Sequence, residues 1–194
     1  MNNNELRTLK ILEEIEKDYA PSQRELAGQL NISLGLVNSF IKRLAQKGHF
    51  KVKNIPKNRV KHILTPKGMA EKTRLTYRYI QYSLEFYKRS RQELRGLFHN
   101  LVRQGVRRVI YYGASVLAEI AYLSSQETNI KLVAVVDDFK IGDKFLDGIV
   151  VTDPSELGSI SFDRILITSM GSIDTVLEKI LKQGIPRSKV VMLE

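Results

Sequence analysis

Ser33-Leu-Gly-Leu-Val-Asn-Ser-Phe-Ile-Lys-Arg-Leu-Ala-Gln-Lys-Gly48 is the stretch whose reading decides the fold of the first half of this chain. Leu36, Val37, Phe40, Ile41 and Leu44 recur at helical spacing and predict an inward stripe. Ser33 is placed as the N-cap and Gly48 as the stop. On the outward side fall Ser33, Gly35, Asn38, Ser39 and Lys42, with Arg43 and Lys47 beside them. Upstream, Ser22 and Glu25 have the spacing of a capping box, and Leu26, Ala27 and Leu30 give a short helix behind it. Asn31-Ile32 is the turn between the two helices, and Leu6, Leu9, Leu12 and Ile15 predict another helix that ends before Pro21. Downstream, Phe50–Lys53 and Arg59–Leu64 read as strands joined by Asn54-Ile-Pro-Lys-Asn58.

Charge follows the same boundaries. From Leu26 to Ala70 there are nine Lys or Arg residues and no Asp or Glu. Residues 1–104 hold 21 basic and 9 acidic side chains, whereas residues 105–194 hold 10 basic and 12 acidic. A solvated surface mixes signs, because like charges repel, so an acid-free folded segment points to a polyanion. Double-stranded DNA is the expected partner. Asn38 and Ser39 suit base edges, Lys42, Arg43 and Lys47 suit phosphates, and Lys57 and Arg59 at the hairpin tip suit the flanking backbone or minor groove. The competing expectation is a protein-interaction wing with ordinary solvated lysines.

The segment from Ser33 to Gly48, the basic hairpin after it and Leu64-Thr-Pro-Lys-Gly68 resemble winged helix-turn-helix transcriptional regulators of the MarR-like kind. The likeness covers about the first 70 residues and implies DNA binding, commonly as a dimer on two half-sites.

From Pro66 the pattern turns helical, with Leu75, Tyr79, Tyr82 and Phe86 at 4-3-4 spacing like a short coiled-coil seam. Ser90-Arg-Gln-Glu93 reads as a further capping box that breaks the helix. The expected divisions are therefore a winged-helix domain over 1–68, a linker or dimerisation helix over 69–90 and a second domain over 91–194. A homodimer through residues 75–98 is one expectation, and packing of the stripe on the chain's own domains is the other.

Beyond Gly105 strands alternate with helices: Arg108–Tyr112, Ile130–Val136, Ile149–Val151, Phe162–Thr168 and Val190–Leu193 as strands, and helices from Val116, Pro154 and Ile173. This α/β pattern predicts a five-stranded parallel Rossmann-like sheet in the order 3-2-1-4-5. Ligands of such sheets sit at the carboxyl ends of the strands. The candidate binding residues there are Gly113, Ala114, Ser115, Asp137, Asp138, Thr168, Ser169 and Gly171. Gly113, Ser115 and Ala118 take the positions of a G-x-G-x-x-G/A fingerprint, with serine in the second place, and Asp137 is placed like a ribose-binding acid. The alternative is that Gly113 only turns the chain and Asp137 only ends a strand.

Tyr112-Gly-Ala-Ser115, Val133–Asp138, Gly148-Ile-Val-Val151 and Gly184-Ile-Pro-Arg187 are similar to Rossmann-like domains of the CoA-binding and sugar-nucleotide-associated type. The overall plan is similar to that of the Rex repressors, although the glycine-rich loop of that family is absent. The resemblance implies NAD(H), CoA or a nucleotide sugar as candidate ligands, with no ligand at all as the alternative.

The sequence has no cysteine, its three histidines are isolated, and no apolar run approaches 18 residues. Metal chemistry and membrane insertion are not expected, and a cytoplasmic location is. No catalytic residue is assigned. The leading expectation is a DNA-binding transcriptional regulator with a ligand-sensing or dimerising second domain. The alternatives are a sugar-nucleotide-modifying enzyme with a DNA-binding head, or a partner platform that binds no ligand.

Overall fold

A computed structural model describes residues 1–17, 21–55 and 59–193, with only the backbone described within 52–61. The chain divides into two compact units, Met1–Glu85 and Phe86–Glu194.

In the first unit, α1 (Asn3–Glu16), α2 (Gln23–Leu30) and α3 (Leu34–Gln46) precede a hairpin of β1 (Phe50–Ile55) and β2 (Arg59–Leu64). Local chemistry sets each boundary. Asn2 with Glu5 and Ser22 with Glu25 form reciprocal capping boxes, which satisfy amides that a helix start leaves without partners. Asn31 takes the left-handed conformation at φ 49° and ends α2, and the Ser33 side chain caps α3. Leu9, Ile11, Leu12, Ile15, Leu26, Val37, Phe40, Ile41, Leu44 and Phe50 form the core, joined by Leu75 from the next helix. Leu36 departs from the expected inward stripe: it is exposed, because the core is already filled by its neighbours Val37 and Phe40.

The antiparallel hairpin pairs Phe50 with Leu64 through to Ile55 with Arg59. Thr65 anchors its base, donating from N to His49 O at 3.0 Å and from Oγ to Gly48 O at 2.6 Å. Gly68 is required there, since a Cβ on it would lie 1.8 Å from His49 O.

Helix α4 runs unbroken from Pro66 to Arg103, so the expected break at Ser90 does not occur. Ser90 is buried, and the apolar sequence continues through it to Leu94, Phe98 and Leu101 in the core of the second unit. A serine and a glutamate at cap spacing do not end a helix whose buried stripe continues past them. The expected seam is also divided. Leu75 is buried in the first unit and Phe86 packs on the core of the second, whereas Tyr79 and Tyr82 are exposed together with Tyr77, Ile80 and Leu84.

The second unit contains β3 (Arg108–Tyr112), α5 (Val116–Ser125), β4 (Lys131–Val136), β5 (Arg164–Ile167), α6 (Ile173–Lys182) and β6 (Val190–Val191). All strand pairings are parallel, in the order β4-β3-β5-β6. One apolar cluster covers the face of Val109, Tyr111, Val135 and Leu166, and another covers that of Ile110, Tyr112, Ala134 and Ile165, as expected for a parallel sheet buried on both sides.

The sheet has four strands where the alternation predicted five. Ile149–Val151 does not form a strand, because its backbone is drawn elsewhere: Val151 N donates to Asp143 O and Gly142 N to Val151 O. Only the following residue, Thr152, bridges β4 at Val136 in the parallel sense, where the edge strand was expected. The helix expected from Pro154 is a 3-10 helix over Pro154–Ser159.

Candidate functional sites

The outward face of α3 matches the expected surface. Ser33, Gly35, Asn38, Ser39, Lys42, Arg43 and Lys47 are all exposed, in line along one helix. The Arg43 guanidinium stacks 4.5 Å from the Phe40 ring centroid, which holds a flexible cation against the core. Among the described residues, no carboxylate forms an ion pair with Lys42, Arg43 or Lys47, whereas Lys72 pairs with Glu16 and Arg78 with Glu5 on the supporting helices. Lys57 lies outside the described residues, and Arg59 is placed only as the first residue of β2.

The crevice at the carboxyl ends of β3 and β5 brings together the expected residues, but with their polar groups directed at one another. Gly113 has φ 110°, and a Cβ there would lie 2.4 Å from Ser169 N. This glycine therefore allows two loops of the fold to meet. Ser115 caps α5, accepting from Leu117 N at 3.0 Å and Ala118 N at 3.4 Å, and its hydroxyl donates to Thr168 O at 2.5 Å. Thr168 is fully buried, with Oγ 2.7 Å from Gly113 O. Asp137 accepts from Ala114 N at 2.8 Å and Phe139 N at 2.9 Å, and Lys140 Nζ donates to Ala114 O at 2.7 Å. Ser169 Oγ accepts from Gly171 N at 3.3 Å. The amides that would cradle a pyrophosphate are thus partly engaged by Asp137 and Ser115.

Asp138 belongs to a separate group. It pairs with Lys179 Nζ at 2.8 Å and lies 3.4 Å from the Tyr112 hydroxyl. Burial, with the Asp138 charge next, pushes the Tyr112 phenol far above its ordinary value, so it stays protonated at any physiological pH. Sequence spacing did not disclose this group, because Lys179 is 41 residues from Asp138 and only the packing of α6 brings it there. Beside the Ala114 loop a cavity of about 210 Å³ is lined by Ala114, Glu119, Lys140, Lys144, Phe145 and Val151, among others. Among the described residues no cluster of His, Asp or Glu is assembled for a metal ion, and no helix is long and apolar enough to cross a membrane.

Comparison with known proteins agrees with the helices of the first unit. Residues 5–48 match the family described as winged helix-turn-helix DNA-binding. The first unit carries a winged helix-turn-helix. Residues 105–191 match a second family, described as C2185-like, N-terminal. No curated protein matches the chain. Similar solved structures include the zinc-dependent MarR family transcriptional regulator AdcR in its Zn(II)-bound state, at 20% identity over 47% of this chain and 62% of that one, TM-score 0.37. PigF with SAH follows at 14% identity over 96% of this chain and 72% of that one, TM-score 0.33. CrgA, a LysR-type transcriptional regulator from Neisseria meningitidis, is 21% identical over 71% of this chain and 43% of that one, TM-score 0.25. The chain spans less than two thirds of the AdcR chain, and all three likenesses are too distant to add to the fold already described.

Proposed function

We propose that the protein is a DNA-binding transcriptional regulator that reads duplex DNA with α3, contacts flanking phosphate with its basic hairpin, and pairs with a second copy through α4. The observation that carries this reading is the exposed face of α3, whose cations form no ion pair with a carboxylate among the described residues. Ser33, Gly35, Asn38 and Ser39 face base edges in this arrangement, Lys42, Arg43 and Lys47 face phosphates, and Lys57 and Arg59 extend the contact. A steep fall of affinity with salt tests it, with log K dropping by about 0.9 per log unit of salt for each phosphate neutralised. A flat salt response overturns it. The exposed Tyr77, Tyr79, Ile80, Tyr82 and Leu84 supply the apolar surface for the homodimer, and the mass in solution tests that assignment.

For the second unit we propose an effector site at the Ala114 loop, with the cavity beside Lys140 and Lys144 taking a nucleotide-like molecule. A pyrophosphate reaching that loop has to displace Asp137 from Ala114 N. NAD(H), CoA and a nucleotide sugar are the first probes. A ligand that binds the folded state raises the melting temperature, and by about 2.7 kcal/mol of stability when present at 100 times its Kd. No stabilisation by any of the three favours a partner platform, and turnover of one of them favours the enzyme reading, for which Tyr112, Asp138 and Lys179 are the residues to substitute.

A further inference from the structure

Leu34 and Leu36 are 39% and 37% exposed on the first turn of α3, a helix whose outward face is otherwise polar or bare. The core beneath the helix is built from Val37, Phe40, Ile41 and Leu44 without them. At about 100° per residue the two leucines fall on opposite flanks of Gly35. A Cβ on Gly35 would meet nothing within 4 Å, so nothing inside the protein demands a glycine there. A glycine in a helix is less favourable than alanine, by about 0.5–1 kcal/mol in the interior and by less on the first turn, and here that cost has no counterpart in packing. The first turn thus offers bare backbone between two exposed leucines, at the part of a recognition helix that approaches base edges.

The edges of the base pairs in the major groove are polar except for the C5-methyl group of thymine. Resting on the DNA reading above, we infer that Leu34 and Leu36 are specificity-determining residues that pack against thymine methyl groups. The bare Gly35 lets the turn come close enough for that contact. Asn38 stands one helical turn beyond Leu34 on the same flank, and its amide suits the adenine paired with such a thymine. Charge complementarity selects DNA over an apolar peptide as the occupant, since the segment from Leu26 to Ala70 has cations and no acid.

The test uses the full chain. A duplex is selected from a random pool, and each thymine in the bound site is replaced singly by deoxyuridine, which removes the methyl and keeps the pairing. Replacement at one or more positions is expected to weaken binding about fourfold, the weight of one buried methyl. That loss disappears in Leu34→Ala or Leu36→Ala, while the salt dependence is unchanged because no cation is removed. If no replacement weakens binding, as for a leucine pair that docks a protein, the inference is overturned. It is equally overturned if the loss persists in both variants. If no duplex is retained from the pool, the DNA reading fails, and this inference with it.

Discussion

The outward face of α3 and the crevice beneath Gly113 are both polar surfaces, yet they differ in what their groups already hold. On α3 the side chains of Asn38, Ser39, Lys42 and Lys47 are exposed, with no internal hydrogen bond of theirs among the described residues. In the crevice Ser115, Asp137, Thr168 and Ser169 are bonded to the backbone of neighbouring loops. A polar group left without a partner inside the protein is available for one outside, whereas a satisfied group must first be freed. The two regions therefore stand differently as sites: one is open to an anion as it is, the other holds its own carboxylate where an anion would go.

The largest effect is expected from reversing charge on the open face. If α3 reads DNA as proposed, Lys42→Glu with Arg43→Glu turns two favourable phosphate contacts into two repulsive ones. Affinity for duplex DNA is expected to fall by about 100-fold or more at low salt, and the salt slope to shrink by about two contacts' worth. The matched control is Lys140→Ala with Lys144→Ala at the crevice, which is expected to leave both unchanged. Fluorescence anisotropy across a salt series measures all three proteins. Equal losses from the two pairs would remove the distinction between the regions.

Next in size is Gly113→Ala. The added Cβ meets Ser169 backbone at 2.4 Å in a left-handed conformation, so both the loop contact and φ resist it. A loss of about 2–4 kcal/mol is expected. Hydrogen exchange at the β3 and β5 amides locates the damage in the second unit.

Much of this was legible in the sequence, and the rest was hidden for identifiable reasons. The caps at Ser22 and Ser33, the hairpin, β3 and α6 follow from short-range signals that local geometry must satisfy. The third strand failed because Ile149–Val151 has strand-like composition, yet Val151 bonds Gly142 and Asp143 and Ile149 bonds Phe145 and Leu146, and composition does not encode a partner. The break at Ser90 failed because the cap spacing of Ser90 and Glu93 is overridden by the buried stripe that runs through it. At the candidate sites, the outward face of α3 followed from periodicity alone. The engagement of Ala114 N by Asp137 did not, since it depends on how the loop after β4 folds back across 23 residues.

A smaller effect tests how firmly the polar groups of the second unit are held by their internal partners. Asp163 accepts from Arg107 N at 2.7 Å and Arg108 N at 2.8 Å, and these amides, Arg107's first, hold its carboxyl below the usual range. A depressed folded-state value means the stabilisation is complete above the unfolded value and is lost as pH falls through the folded one. The melting temperature of the wild type should therefore drop more steeply than that of Asp163→Asn below about pH 4, the two curves converging with acid. Parallel curves would show that the charge contributes nothing there.

The smallest change separates stability from binding on the open face itself. Gly35→Ala adds a Cβ into empty space at a first-turn helical position, so the helix should gain up to about 0.5 kcal/mol and melt slightly higher. The same methyl stands between Leu34 and Leu36 on the exposed first turn, where base edges would approach. Duplex affinity should therefore fall severalfold in a protein that is more stable than its parent. Opposite signs in the two measurements are what a surface shaped for an outside partner requires. If both rise together, the glycine has no part in DNA contact, and the open face reads through its polar side chains alone.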